Sequence, residues 1–251
     1  YMFIDTHCHL SLDDYKNIDD ILLENRKEKV SPIIISGCTK KDISEALMYG
    51  KKYSDVYVVL GYHPSEVSMV NDDDLVFLEN QLKNSKVVGI GEIGLDYHYG
   101  KEDRNKQLLL FEKQLQLAEK LDIPVVIHSR DATFDTINTL KKYSVRGVIH
   151  CFSGSLETAW EYIKMGFVLG IGGVVTFKNS KLGDIVSKLP LDKIVLETDS
   201  PYLTPEPFRG EKNSSKYIPL IAAKIAECIG VSIDDVARVT TNTAKAIFHL
   251  D

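Results

Sequence analysis

The 251-residue sequence predicts an α/β fold, a single-domain (β/α)8 barrel of the TIM type spanning residues 1–251. Three observations lead there. Eight short apolar runs recur along the chain, amphipathic helical stretches separate them, and imidazoles or carboxylates stand where five of the runs end. Alternation of this kind implies parallel strands, and eight units in about 250 residues suit a barrel whose working groups lie at the C-terminal strand ends, with an open doubly wound sheet as the main rival. A hydrophobic content of 44% is ample for its core.

The first strand is expected over 3–6, running into Asp5-Thr6-His7-Cys8-His9. Side chains alternate along a strand, so His7 and His9 should share one face with Asp5, and Thr6 and Cys8 should take the other. The second and third runs, 32–36 and 56–60, are rich in β-branched residues, and the third leads to Gly61-Tyr62-His63-Pro64. The fourth, 87–90, precedes Gly91 and Glu92. A helix follows over 104–121, where Leu108, Phe111, Leu115 and Ala118 recur at helical spacing. Runs at 125–127 and 147–149 end on His128 and His150, the run at 167–171 leads to Gly172-Gly173, and 194–196 precedes Glu197 and Asp199. The segment 213–251 reads as one or two closing helices, the last capped by Ser232 with Asp234 and Asp235 in its first turn.

A formal charge of -6 and a pI near 5.7 argue against a broad basic groove for long nucleic acid. No apolar stretch has the roughly 18 residues needed to span a bilayer, and no basic-then-hydrophobic leader is visible, so a cytoplasmic protein with no membrane association is expected. Nothing in the chain points to an obligate protein partner. Cys8, Cys38, Cys151 and Cys228 form no CxxC pair and lie in or beside apolar runs, which suits packed, reduced thiols.

Barrel interiors are normally filled by Val, Ile and Leu, so His7, His9, Glu92, His128, His150 and Asp199 at strand ends call for a divalent metal centre. Glu197 is expected behind them, orienting a histidine or water, or else in a structural ion pair. His63 stands on a loop of the active face, as a catalytic group or as a turn histidine beside proline. Asp96 and His98 either touch substrate or form a polar loop. Arg130 and Arg209 are the candidates to grip phosphate, unless each is spent on a structural salt bridge.

With those motifs in hand, the chain resembles the TatD-like metal-dependent hydrolases and deoxyribonucleases of the amidohydrolase superfamily. The similarity runs in order through Asp5-Thr6-His7-Cys8-His9, Gly61-Tyr62-His63-Pro64, Gly91-Glu92-Ile93-Gly94-Leu95-Asp96-Tyr97, Ile127-His128-Ser129-Arg130, His150-Cys151-Phe152-Ser153-Gly154, Gly172-Gly173 with Thr176-Phe177, Glu197-Thr198-Asp199-Ser200-Pro201-Tyr202 and Pro207-Phe208-Arg209-Gly210. Ser215 departs from it, standing where many relatives carry proline. The resemblance implies one ion on His7, His9, Glu92 and Asp199 and a second on Glu92, His128 and His150, with Glu92 bridging. It implies a deoxyribonuclease, a 3′ exonuclease acting on short or single-stranded DNA.

Two divalent ions, whether Mg, Mn or Zn, supply an activated water and polarise a phosphoryl group. Asp199 is then the expected general base and His63 a donor to the substrate. The same chemistry attacks carbonyls, so an amide or ester hydrolase, such as an aminoacyl-tRNA deacylase, is the alternative enzyme reading. A metal-binding scaffold without catalysis is the third, and the complete ligand set counts against it.

Overall fold

The computed structural model describes residues 2–251. Its strands are β1 (Phe3–Cys8), β2 (Val30–Gly37), β3 (Val56–Leu60), β4 (Val87–Asp96), β5 (Val125–Arg130), β6 (Gly147–Ile149), β7 (Phe167–Ile171) and β8 (Ile194–Leu196). All are parallel and hydrogen-bonded in chain order from β1 to β8. The helices between them are α1 (Ile18–Lys27), α2 (Lys40–Lys52), α3 (Asp72–Gln81), α4 (Arg104–Leu121), α5 (Thr133–Leu140), α6 (Leu156–Lys164) and α7 (Leu182–Val186), followed by α8 (Ile218–Ile229) and α9 (Ile233–Phe248). The (β/α)8 barrel expected from the sequence is the fold observed. No helix among the described residues is long and apolar enough to cross a membrane.

Local chemistry fixes the helix ends. Asn17, Thr39, Asn71, Ser155 and Ser232 each accept a backbone N–H of the first turn of the helix they precede, satisfying donors that have no partner within the helix. Gly230, at φ 80°, ends α8 in the left-handed region that glycine occupies without a steric penalty.

Two apolar clusters hold the barrel. The larger one lies between the strands and the surrounding helices. The smaller takes one residue from each of seven strands, Ile4, Ile34, Val59, Val126, Val148, Val168 and Val195, and covers them with Ala244, Phe248 and Leu250. It fills the barrel interior at its N-terminal end, with the end of α9 and the residues after it as the plug.

The two ends of the sheet meet outside the regular ladder. Thr198 and Asp199 both donate their N–H to the carbonyl of His7, at 3.3 and 2.9 Å, and His9 N–H donates to the carbonyl of Ser200 at 2.8 Å. Thr6 Oγ1 adds a bond to the carbonyl of Leu196 at 2.9 Å. The closing seam therefore runs through the residues that carry the site.

Candidate metal centre

Register along the sheet is regular between β2 and β3 and from β5 to β8, and irregular only in pairings that involve β1 or β4. Those two strands carry His7 and Glu92. In β1, Ile4 packs inside the barrel but Cys8 packs in the outer cluster, and the register with β2 shifts between Asp5 and Cys8. Strict alternation would put Ile4 and Cys8 on one face, so the expected sharing of a face by Asp5 and His7 does not hold. β4 and β5 are also longer than their apolar runs. Glu92 and His128 lie within strands rather than beyond them, because β4 stays paired to β5 through Gly94↔His128, Leu95↔Ser129 and Asp96↔Arg130. Gly94, at φ 147°, permits this approach, since a Cβ there would lie 1.9 Å from the carbonyl oxygen of His128.

The six residues expected to hold metal come together at the C-terminal end of the barrel. His7 Nε2 and His9 Nε2 are 3.3 Å apart. Asp199 Oδ1 lies 3.5 and 3.3 Å from them, and Glu92 Oε2 lies 3.5 and 3.8 Å from them. An ion with tetrahedral ligands at about 2.0–2.2 Å has edges of roughly 3.3–3.6 Å, close to these five distances, and the donors of His7, His9 and Glu92 lie near enough together to share one ion. Asp199 reaches this position from φ 55°, a left-handed conformation that aspartate tolerates better than most residues. β8 stops at Leu196, so neither Glu197 nor Asp199 belongs to a strand.

Glu92 turns its other oxygen to a second group. Oε1 lies 2.6 Å from His128 Nδ1, 3.6 Å from His150 Nε2 and 3.8 Å from His63 Nε2. His150 Nε2 is also 3.7 Å from Asp199 Oδ1, and its ring stacks on His7 at 3.6 Å, so it stands between the two groups. Donor atoms close enough to share an ion include the set His63, Glu92 and His128 as well as the set His7, His150 and Asp199. His63, read from the sequence as a proton donor, thus also lies within reach of an ion.

Supporting contacts orient the rings. His128 Nε2 is 2.9 Å from Asp96 Oδ2, which leaves Nδ1 facing Glu92. Asp96 is therefore a partner of a candidate ligand and no part of a free polar loop, a role the sequence signalled only by its place four residues beyond Glu92. His98 instead pairs with Asp131 at 3.2 Å on the surface. Glu197 Oε1 accepts Cys151 N–H at 2.6 Å and lies 3.1 Å from His150 Nδ1, without the alignment of a hydrogen bond. Gly170 makes room for it, since a Cβ there would lie 2.2 Å from Glu197 Oε2. Cys151, expected as a packed thiol, sits at φ 48° with its sulfur grouped with His150 and Glu197. Asp5, fully buried, accepts Thr198 Oγ1 at 2.6 Å and Thr198 N–H at 3.1 Å and so latches the segment that carries Asp199.

The charges favour a cation at the centre. Burial alone would strip the proton from His7 and His9, yet Asp199 and Glu92 overcome it and raise these rings to about 10 and about 9. Burial likewise works against a charged His128, but Asp96 and Glu92 raise it to about 9. Against the same burial, the surrounding imidazoles hold Glu92 and Asp199 below the ordinary carboxylate range. Carboxylates that hold protons on these rings would hold a divalent ion in their place. His63 behaves oppositely, burial pushing it down to about 4. Its Nδ1 accepts Ser65 N–H at 3.0 Å, so the neutral ring carries its proton on Nε2, toward the site. Burial pushes Asp5 up to about 6 despite its hydrogen bonds to Thr198.

Of the six arginines, Arg26, Arg104, Arg146 and Arg238 each lie on a carboxylate. Among the described residues Arg130 and Arg209 have no carboxylate within 4.0 Å, so neither forms the structural salt bridge that was their alternative reading. Arg130 lies over the Tyr99 ring at 5.9 Å. Arg209 is stacked 4.0 Å over Phe177 and donates to the carbonyl of Thr204 at 3.2 Å.

Residues 4–249 match the family described as TatD related DNase. A curated relative from Bacillus subtilis (strain 168), the uncharacterized metal-dependent hydrolase YabD, is 38% identical over the whole of both chains. The uncharacterized metal-dependent hydrolase YcfH of Escherichia coli (strain K12) is 34% identical over 99% of this chain and 96% of its own. The crystal structure of YjjV, a TatD homologue from E. coli K12, superposes with a TM-score of 0.93 at 31% identity, covering 99% of this chain and 98% of that one. The converging histidines and carboxylates thus sit in a fold and a sequence shared along nearly the full chain, and the protein belongs to the TatD-related DNase family of metal-dependent hydrolases.

Proposed function

We propose that this protein is a deoxyribonuclease that needs two divalent ions and trims short or single-stranded DNA ends, from the 3′ end as its resemblance to the family implies. The observation that carries the reading is Glu92, which presents one carboxylate oxygen to His7 and His9 and the other to His128 and His150. His7, His9, Glu92 and Asp199 would hold one ion, and Glu92, His128 and His150 the other. Bound there, the ions supply Lewis acidity and lower the pKa of water. The imidazole-rich donors suit Zn by affinity, and the carboxylates also accept Mg or Mn. We infer a cytoplasmic enzyme with no obligate protein partner.

The chain's own residues do the rest. Asp199, held ionised, accepts a proton from the attacking water. His63, neutral with its Nε2–H directed inward, donates a hydrogen bond to the substrate. Arg130 and Arg209, unpaired with any described carboxylate, take phosphate oxygens. A narrow site on an acidic protein suits an unpaired end, because a duplex must first spend a few kcal/mol on unpairing.

The test is a time course on end-labelled linear and closed circular single-stranded DNA of equal length, with and without EDTA. Metal-dependent digestion of the linear strand alone is expected. Cutting of the circle would replace the exonuclease reading with an endonuclease, and no cutting of either would favour the carbonyl-hydrolase alternative. Full activity in rigorously metal-free protein would overturn the whole reading.

A further inference from the structure

Beside His150 lies a cleft of about 550 Å³, lined by His98, Ser129 and Arg130 together with Cys151, Phe152 and Ser153. Its size is in the roughly 300–1,000 Å³ range of clefts that take small organic ligands. His150 is shared between this cleft and the candidate metal centre, so whatever occupies the cleft lies next to the reacting bond.

The rim is chemically particular. Tyr99, on the loop after β4, is 88% exposed, and Phe134, in the first turn of α5, is 78% exposed, the two highest values among the large apolar side chains of the described surface. Tyr99 meets His98 edge-on at 4.8 Å and has the Arg130 guanidinium 5.9 Å from its ring centre. Phe134 follows Thr133, which also lines the cleft. Asp131 lies there too, 3.2 Å from His98 Nδ1, and Arg130 has no carboxylate within 4.0 Å among the described residues. An exposed aromatic face next to an unpaired guanidinium is the combination that binds single-stranded nucleic acid, the ring stacking on a base and the cation holding the backbone.

We propose that this cleft is the subsite for the unpaired nucleotide next to the scissile bond, its base stacked on Tyr99 and its phosphate held by Arg130. The proposal rests on the deoxyribonuclease reading and adds to it a substrate requirement. The enzyme needs a base at this position, accepts any of the four, and rejects paired ones because a stacked and paired base cannot also lie on Tyr99.

The test uses metal-loaded protein and a fluorescent single-stranded oligodeoxynucleotide with phosphorothioate at the terminal linkage, read by anisotropy, beside turnover of the ordinary phosphodiester. Tyr99→Ala should weaken binding about 5- to 160-fold, the range for loss of one base–aromatic stack, and Tyr99→Phe should restore it. With an abasic site at the terminal nucleotide, wild type should bind as weakly as the variant, and Tyr99→Ala should add less than about twofold. Equal losses on the normal and abasic strands, or no loss on either, would overturn the subsite while leaving DNA cleavage standing. Failure of the wild type both to bind and to cut any oligonucleotide would remove the deoxyribonuclease reading and the subsite with it.

Discussion

At its N-terminal end the barrel is filled by aliphatic side chains from seven strands under a plug of Phe248 and Leu250, whereas at its C-terminal end β1, β4, β5 and the segments that follow β1, β6 and β8 present four imidazoles and two carboxylates a few ångströms apart. The lower end packs, and each of its residues is replaceable by one of similar shape. The upper end crowds imidazoles together, His7 on His150 and His9 beside His7, with Glu92 and Asp199 among them, a donor set that a divalent cation would hold together. The difference shows where a barrel of this size keeps its stability and where it keeps its chemistry.

That division can be broken most severely at Glu92. Glu92→Gln removes the charge that both ligand groups share, so bound metal should fall below two ions per chain and turnover by more than the loss of any one histidine, as checked by metal analysis and steady-state rates. Asp199→Asn should lower kcat by about 10²- to 10⁴-fold with an unchanged circular dichroism spectrum, because asparagine tolerates the left-handed backbone at this position but cannot accept the proton. If correctly folded, metal-loaded Asp199→Asn kept near wild-type turnover, Asp199 would not be the base. The lower end should answer in the other currency: Phe248→Ala should cost about 3–5 kcal/mol in denaturant unfolding while leaving kcat per folded molecule intact. A milder change on the upper side is Asp96→Asn, which frees His128 Nε2 and should weaken metal binding about 10- to 100-fold in a competition titration.

The smallest effect concerns the bracing of the loop that carries Tyr99. Arg104 holds Asp135 by two bonds, at 2.7 and 2.9 Å, and Tyr97 adds a third, which keeps the Asp135 carboxyl below its ordinary 3.8. A carboxyl with a lowered folded pKa stabilises above its unfolded value and loses that contribution as the pH falls through the folded one. Asp135→Asn should therefore melt earlier than wild type at pH 7, and the two melting curves should converge at acid pH, once the Asp135 carboxyl is protonated in the folded state as well.

Much of this was legible in the sequence, for reasons that also mark the limit. β3, β6, β7 and β8 coincide with their apolar runs because nothing interrupts them, and α4 spans Arg104–Leu121 as its spacing predicts. Every residue expected at a metal reaches the centre. What escaped is register. The shifts in β1 and β4 depend on pairing with strands elsewhere in the chain, so no period within Asp5–His9 or Gly89–Asp96 reveals them, and the face of Asp5 was misread for that reason. The hold of Asp96 on His128 escaped similarly, because it joins two strands whose residues meet only once β4 outruns its apolar stretch.

The seam between β8 and β1 has a further consequence for a chain still being made. β2 to β7 each emerge from the ribosome soon after a neighbour to pair with, but Thr6 waits for Leu196, 190 residues later, and Asp5 waits for Thr198. His7 lies in the first strand with His9 just beyond it, and Asp199 follows the last strand, so a nascent chain that has not reached residue 199 lacks one side of the centre. A product released early by stalled translation would expose an open sheet edge to aggregation and proteolysis, yet it would carry no working hydrolase into the cell.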